Sequence, residues 1–203
     1  MRNRVKSLLS MAIIGCVLAT SVRADFPLRV DIDVRTKRDK KSIGAGSSGE
    51  AKVEQIALTI KIRKAGGQPY TKPLTAELYV IGRQIQTGYY GIIGVVKQEF
   101  TLSADKDNTY EFTSPMYLVG QTSGNINVGG KYETYLIVIA DENGDIIDSR
   151  SGRVIREKGI DFIRKLGPKT LFDRDGNVVG SADNSAFKKA IPAAVSVGGF
   201  GGD

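Results

Sequence analysis

The chain has 203 residues, no histidine and a single cysteine, Cys16. Those counts exclude serine triads, cysteine–histidine dyads and histidine-bound zinc or copper, so an enzyme built from this chain would have to work with carboxylates, lysine or tyrosine. The formal net charge is +7, but the first 24 residues carry four cations and no carboxylate; without them it is +3, too little to point to nucleic acid.

Arg2, Arg4 and Lys6 precede an apolar run over residues 8–22, and Val22-Arg23-Ala24 offers a small-residue exit. This is the pattern of a signal peptide over residues 1–24, with the mature chain starting at Asp25. Export places the protein in the periplasm, on the outer membrane surface or outside the cell. Ile13-Ile14-Gly15-Cys16 also reads as a loose lipidation site, and membrane association is expected only if Cys16 is acylated.

From residue 28 the texture is that of strands. Leu28, Val30, Ile32 and Val34 alternate with Arg29, Asp31, Asp33 and Arg35, a period of two with one wet face. Residues 37–50 turn charged and then glycine-rich, and read as an exposed, mobile loop. Further strands are expected over 53–64, 74–81 and 90–102, the last with a bend or bulge at Gly91 and Gly94. Short runs at 109–113 and 116–119 follow. Residues 131–147 (KYETYLIVIADENGDII) read as a nearly fully buried strand, a tight turn at Asn143-Gly144 in which both residues tolerate positive φ, and a returning strand.

Seven or so strands without a convincing helix predict an immunoglobulin-like antiparallel β-sandwich over residues 25–156, with a barrel as the alternative. Residues 157–192 are expected to form a small appendage: a helix over 157–167, a hairpin around Asp175-Gly176, and a helical turn over 185–191. The glycine-rich tail over 193–203 has little to hold it in place.

The cations Arg35, Lys37, Arg38, Lys40 and Lys41 make a basic run suited to sulfated or phosphorylated glycans or lipid headgroups, and no aromatic is interleaved to stack bases. Tyr79, Ile81, Tyr90, Ile92, Tyr135 and Ile137 are the second candidate set. They lie on strands that are apolar on both faces, so one face needs a cover, either residues 157–191 or another subunit. Asp31 and Asp33 share a strand face and read as its solvated side. Asp173-Arg174-Asp175-Gly176-Asn177 resembles the centre of a calcium loop, but Leu171 and Ala182 stand where ligands are needed, and a plain turn is expected, with no metal or cofactor.

The leader, the strand ending TAELYVIGR at Arg83, the 132–152 segment and the histidine-free composition together resemble a known group: small secreted immunoglobulin-like proteins encoded with type IV-pilus-like genes in mucin-degrading gut bacteria. The resemblance implies a non-catalytic accessory of a pilus-like or adhesive surface assembly, partnered by pilus or secretion proteins or by copies of itself. A binding module for acidic glycans or lipid headgroups is the alternative. No pilin-type processing glycine precedes Leu8, so assembly through an N-terminal helix is not expected.

Overall fold

The computed structural model describes residues 28–42, 50–65, 70–123 and 126–181. The leader, Cys16, the 185–191 turn and the 193–203 tail lie outside them.

Ten antiparallel strands form one continuous open sheet that folds into two facing layers. In the first, β1 (Leu28–Ser42) pairs with β2 (Glu50–Lys64) along fifteen residue pairs. β3 (Leu74–Gln84) and β4 (Tyr90–Phe100) belong to the second layer. The other edge of β2 is shared by β5 (Thr109–Thr113), opposite residues 59–63, and β6 (Tyr117–Ser123), opposite residues 51–56. Where one gives way to the other, buried Ser114 stands in for a strand partner: its hydroxyl accepts from the Leu58 N–H at 3.0 Å, and its own N–H donates to the Leu58 carbonyl. Leaving both Leu58 backbone groups unpaired in the core would cost about 1–3 kcal/mol apiece.

β7 (Ile126–Ala140) joins the layers. Residues 126–129 pair with β6 in the first layer, and residues 130–140 pair with β3 in the second. β8 (Ile146–Ser151) then lines the outer edge of β7. Even-numbered residues of β2 and β3, from Ile56 to Ile62 and Leu74 to Val80, meet Ile137 and Ile139 between the layers. This inner core is the alternation read from the sequence.

Beyond β8 come two short helices, α1 (Arg153–Lys158) and α2 (Ile160–Lys165), then β9 (Thr170–Phe172) and β10 (Val178–Ser181). One helix over 157–167 was expected. Gly159, at φ 86°, splits the segment, and α1 starts before residue 156, so the expected boundary there falls inside a helix. Nor is this piece an appendage. Ile155, Ile163, Leu166 and Phe172 pack on the outer face of the second layer, and β9 pairs with the start of β4. The result is three layers: sheet, sheet and helical cover.

Two other expectations change. Residues 37–42 are strand, because β2 supplies ladder partners to a charged segment whose two wet faces show no periodicity. The barrel is excluded, since the strand path ends at β1 and β10 without closing, and this strand order by itself does not assign the immunoglobulin type. The bulge in β4 is present: Gly94 faces Val80 and Ile92 faces Ile81, leaving Ile93 extra.

Gly129 is where β7 changes layers. Its φ is 96°, and a Cβ there would sit 2.9 Å from the Val119 carbonyl oxygen. Gly129→Ala is expected to cost about 1–3 kcal/mol, read as a lower urea midpoint with an unchanged slope.

Candidate interaction surfaces

The expected basic patch lies on β1 and is divided by the pleat. Arg35 and Lys37 point to one face, Arg38 and Lys40 to the other, because successive strand residues alternate. Carboxylates accompany three of them: Asp33 at 3.1 Å from Arg35, Asp39 at 2.9 Å from Lys37, and Glu54 on β2 at 2.8 Å from Arg38. The Lys41 side chain lies outside the described residues. Exposed pairs of this kind contribute at most about 1 kcal/mol each, yet they lower the net charge a ligand would meet. Asp31 and Asp33 are likewise held by guanidinium groups, Asp31 by Arg63 at 2.6 Å and by Arg29 at 3.1 Å. The Arg63 and then the Arg29 hydrogen bonds keep the Asp31 carboxyl below its usual range, which suits an ion-pair partner and not a proton donor.

Five of the six residues expected at a subunit interface are buried within the chain, and the sixth, Tyr135, is half-buried and lines the cleft beside β8. Tyr79, Ile81, Tyr90 and Ile92 are buried under Ile155, Ile163, Leu166 and Phe172, while Ile137 is buried between the sheets and Tyr135 is half-buried beside it. Phe172 fastens this cover, stacking on Tyr90 with centroids 5.5 Å apart and receiving the edge of Phe162 at 5.5 Å. The physical reason for the correction is proximity: the cover is tethered to the strand it covers, so it meets the apolar face before any second molecule can.

Ion pairs reinforce the layering. Glu77 on β3, only 14% exposed, accepts from Arg164 of α2 at 3.0 Å and lies 3.6 Å from Lys97 of β4. Burial pushes its carboxyl up, but Arg164 and Lys97 outweigh that and hold it below its ordinary value. Just before the start of β3, Glu142 in the β7–β8 turn pairs with Lys72 and accepts from the Tyr70 hydroxyl at 2.9 Å. The Lys72 ammonium, a backbone N–H and that hydroxyl bring Glu142 down to about 2, while burial and the Glu142 charge push Tyr70 up to about 12.

The two aspartate-rich turns are copies of one device. Asp141 Oδ1 accepts from the N–H groups of Asn143 and Asp145, and Asp173 Oδ1 accepts from those of Asp175 and Asn177. In each turn only the glycine, Gly144 or Gly176, has positive φ, so Asn143 does not adopt the left-handed conformation expected of it. With Oδ1 occupied by the turn's backbone N–H groups and Oδ2 by the Asn177 side-chain amide, Asp173 serves the chain reversal. Among the described residues no cluster of three histidine, cysteine, aspartate or glutamate side chains could hold a metal ion.

A cleft of about 790 Å³ runs between β8 and the α1–α2 pair, lined by Ile146, Ser149, Arg150, Ser151, Arg156 and Asp161 among others. Ser149 and Ser151 oppose Val138 and Leu136 on the helix side, whereas Arg150 opposes Ile137 on the sandwich side. Residues from both faces of β8 therefore line one cleft, which follows the strand's free outer edge. Arg156 reaches only the Ser151 carbonyl, at 3.4 Å, and has no carboxylate partner among the described residues. The sequence held no signal for this cleft: its residues are ordinary, and the turn from β8 into α1 assembles them. Among the described residues no helix is long and apolar enough to cross a membrane.

No family model matches the chain, and no curated protein matches it. Solved structures that align with it include one of a Bacteroides fragilis protein assigned as a beta-galactosidase, 19% identical, covering 58% of this chain and 15% of that one, with a TM-score of 0.28. This chain thus spans only a small part of that enzyme's length. A protein from Akkermansia muciniphila is 12% identical, with 81% of this chain and 88% of that one covered and a TM-score of 0.33. A Northeast Structural Genomics Consortium target is 14% identical over 60% of this chain and 84% of that one, with a TM-score of 0.22. Scores this low carry neither fold nor function across, so both rest on the residues above.

Two outcomes follow. Phe172→Ala should cost about 3–5 kcal/mol and, by loosening the cover from Tyr79 and Tyr90, raise binding of a hydrophobic dye. Glu142 falls from an ordinary 4.5 to about 2, so the stability it contributes is complete above pH 4.5 and is lost as pH drops towards 2. Denaturant midpoints measured across that window should fall less steeply in Glu142→Gln than in the parent.

Proposed function

We propose that this is an exported, non-catalytic structural or interaction protein, acting as an accessory of a pilus-like or adhesive assembly at the cell surface. The supporting observation is the cleft beside β8, whose outer edge pairs with no strand among the described residues, with the helices across from it and Arg150 and Arg156 in its lining. An extended segment from a surface protein would add to such an edge through main-chain hydrogen bonds, with side chains alternating between the Ser149 and Arg150 sides. The leader-like opening, the resemblance to pilus-associated secreted proteins and the antiparallel β-rich fold belong to the same reading.

The test is site-specific photo-crosslinking in cells. A crosslinker replacing Ser149 should trap a defined envelope protein, and one replacing Arg174, in the exposed β9–β10 turn, should not. Equal trapping at both positions, or a chain retained in the cytoplasm, would defeat the proposal. The basic strand supports a second reading, binding of acidic glycans, because Arg35, Lys37 and Arg38 are 73%, 60% and 75% exposed. That reading requires salt-sensitive retention on heparin that falls when Lys37→Ala and Arg38→Ala are combined.

A further inference from the structure

β1 ends the strand path, and among the described residues its outer edge pairs with nothing over fifteen residues. Edge strands commonly carry charge, which deters pairing with another chain. Here the order of the charges matters more than their number. The outward face reads Arg29, Asp31, Asp33, Arg35, Lys37, Asp39, which is plus, minus, minus, plus, plus, minus. Read backwards, every sign is inverted. The edge is therefore its own antiparallel complement.

We infer that β1 pairs with β1 of a second copy, antiparallel about a twofold axis through Val34. In that register Asp33 faces Arg35, Asp31 faces Lys37 and Arg29 faces Asp39 of the second copy, and the symmetry makes each contact twice. Opposed residues stand about 4.5–5.5 Å apart across an antiparallel pair, close enough for each side chain to reach its counterpart. Neighbouring registers fail. Moving the axis to Arg35 sets Arg35 against itself and Asp31 against Asp39. Moving it to Asp33 sets Asp33 against itself and Arg29 against Lys37. A slip that opposes odd with even residues turns the apolar side outwards.

The inner face agrees. Val30, Ile32 and Val34 pack at the rim of the inner core and remain half-buried, as expected where a sheet layer stops early. The second β1 would set Val34 against Val34 and Ile32 against Thr36 at the centre of the pairing, with Arg38 opposite Val30 on either side of it. In the single chain Asp33 and Arg35 are paired along the strand yet remain 65% and 73% exposed, so both are available to a facing strand. This self-pairing goes beyond the reading above, which concerns an outside partner at the β8 edge.

Sedimentation velocity of the purified chain over a concentration series tests it. The expected result is a reversible monomer–dimer equilibrium, with amide exchange in β1 slowing as concentration rises. Arg35→Glu places like charges opposite Asp33 at two symmetric points and should weaken the dimer by about tenfold or more. Adding Asp33→Arg to it exchanges the two signs and should restore dimerisation. Should Arg35→Glu fail to fold by circular dichroism, Lys37→Glu makes the same challenge opposite Asp31. A monomer at every concentration, a dimer indifferent to these single changes, or a charge-exchanged variant that stays weak would overturn the inference. Loss of the Ser149 crosslink with the dimer intact would count against the outside partner alone.

Discussion

The constraint on which the structure depends is that β7 is buried on both faces. Leu136, Ile137, Val138 and Ile139 are all removed from solvent, so the strand needs an apolar layer on each side. A single sheet packed against one other sheet provides one. The second comes from the helices and β9, and the sequence order makes that economical: the cover follows directly from β8, the strand that lines the edge of β7. Strands buried on both faces belong to sheets with covers on both sides, and continuous runs of Val, Ile and Leu are how they read. The same strand also carries the chain from one sheet layer into the other, which places a glycine with positive φ at the change and ties three layers to one segment.

Charge has been distributed around that core without entering it. Arg164 and Lys97 meet Glu77 where the helical layer rests on β3, and Lys72 and Tyr70 meet Glu142 where the β2–β3 connection passes the β7–β8 turn. Both clusters join segments far apart in sequence. Neither supplies much stability, because part of each group remains in water. What they add is register: each joins a particular residue of one element to a particular residue of another, which apolar packing alone specifies less sharply. The carboxylates so used are ionised partners of cations, and the turn aspartates are occupied by backbone N–H groups. Beside these pairs lie two surface features, a cleft next to one strand edge and a charged row along another.

An open sheet has to manage its edges, and two that are unpaired among the described residues, β1 and β8, differ in kind. β8 is short and has helices beside it, so it is approached through a cleft. β1 is long, and its outward side chains alternate in sign over blocks of one or two. Either edge offers unpaired N–H and C=O groups in a regular row. Recognition by such a row is indifferent to sequence, so selectivity must come from the side chains on either face, serines and arginines at β8 and the sign pattern at β1.

Much of the framework was legible in the residues. The period of two in 28–35, 56–63 and 74–81 located the first strands and the side of each that forms the core, since a strand's alternation is a local property. The glycines near Ile93 announced the bulge, and Asp-x-x-Gly located both turns, though the left-handed conformation fell on glycine alone because a type I turn with one positive-φ residue already reverses the chain. The double-sided apolar strands were visible as well. What covers them was not, because no local pattern distinguishes a tethered cover from a partner. Residues 37–42 looked like loop because their ladder partners lie on β2, across a hairpin that charge alone does not reveal. The sequence by itself determined which residues are apolar, where the chain turns and in what order the signs of β1 run. Only the tertiary structure decided that β7 serves two layers, that residues 153–172 close the outer face, and that β1 and β8 are edges. The reason is physical: periodicity and turn chemistry act over a few residues, whereas pairing partners and coverage depend on contacts between segments a hundred residues apart.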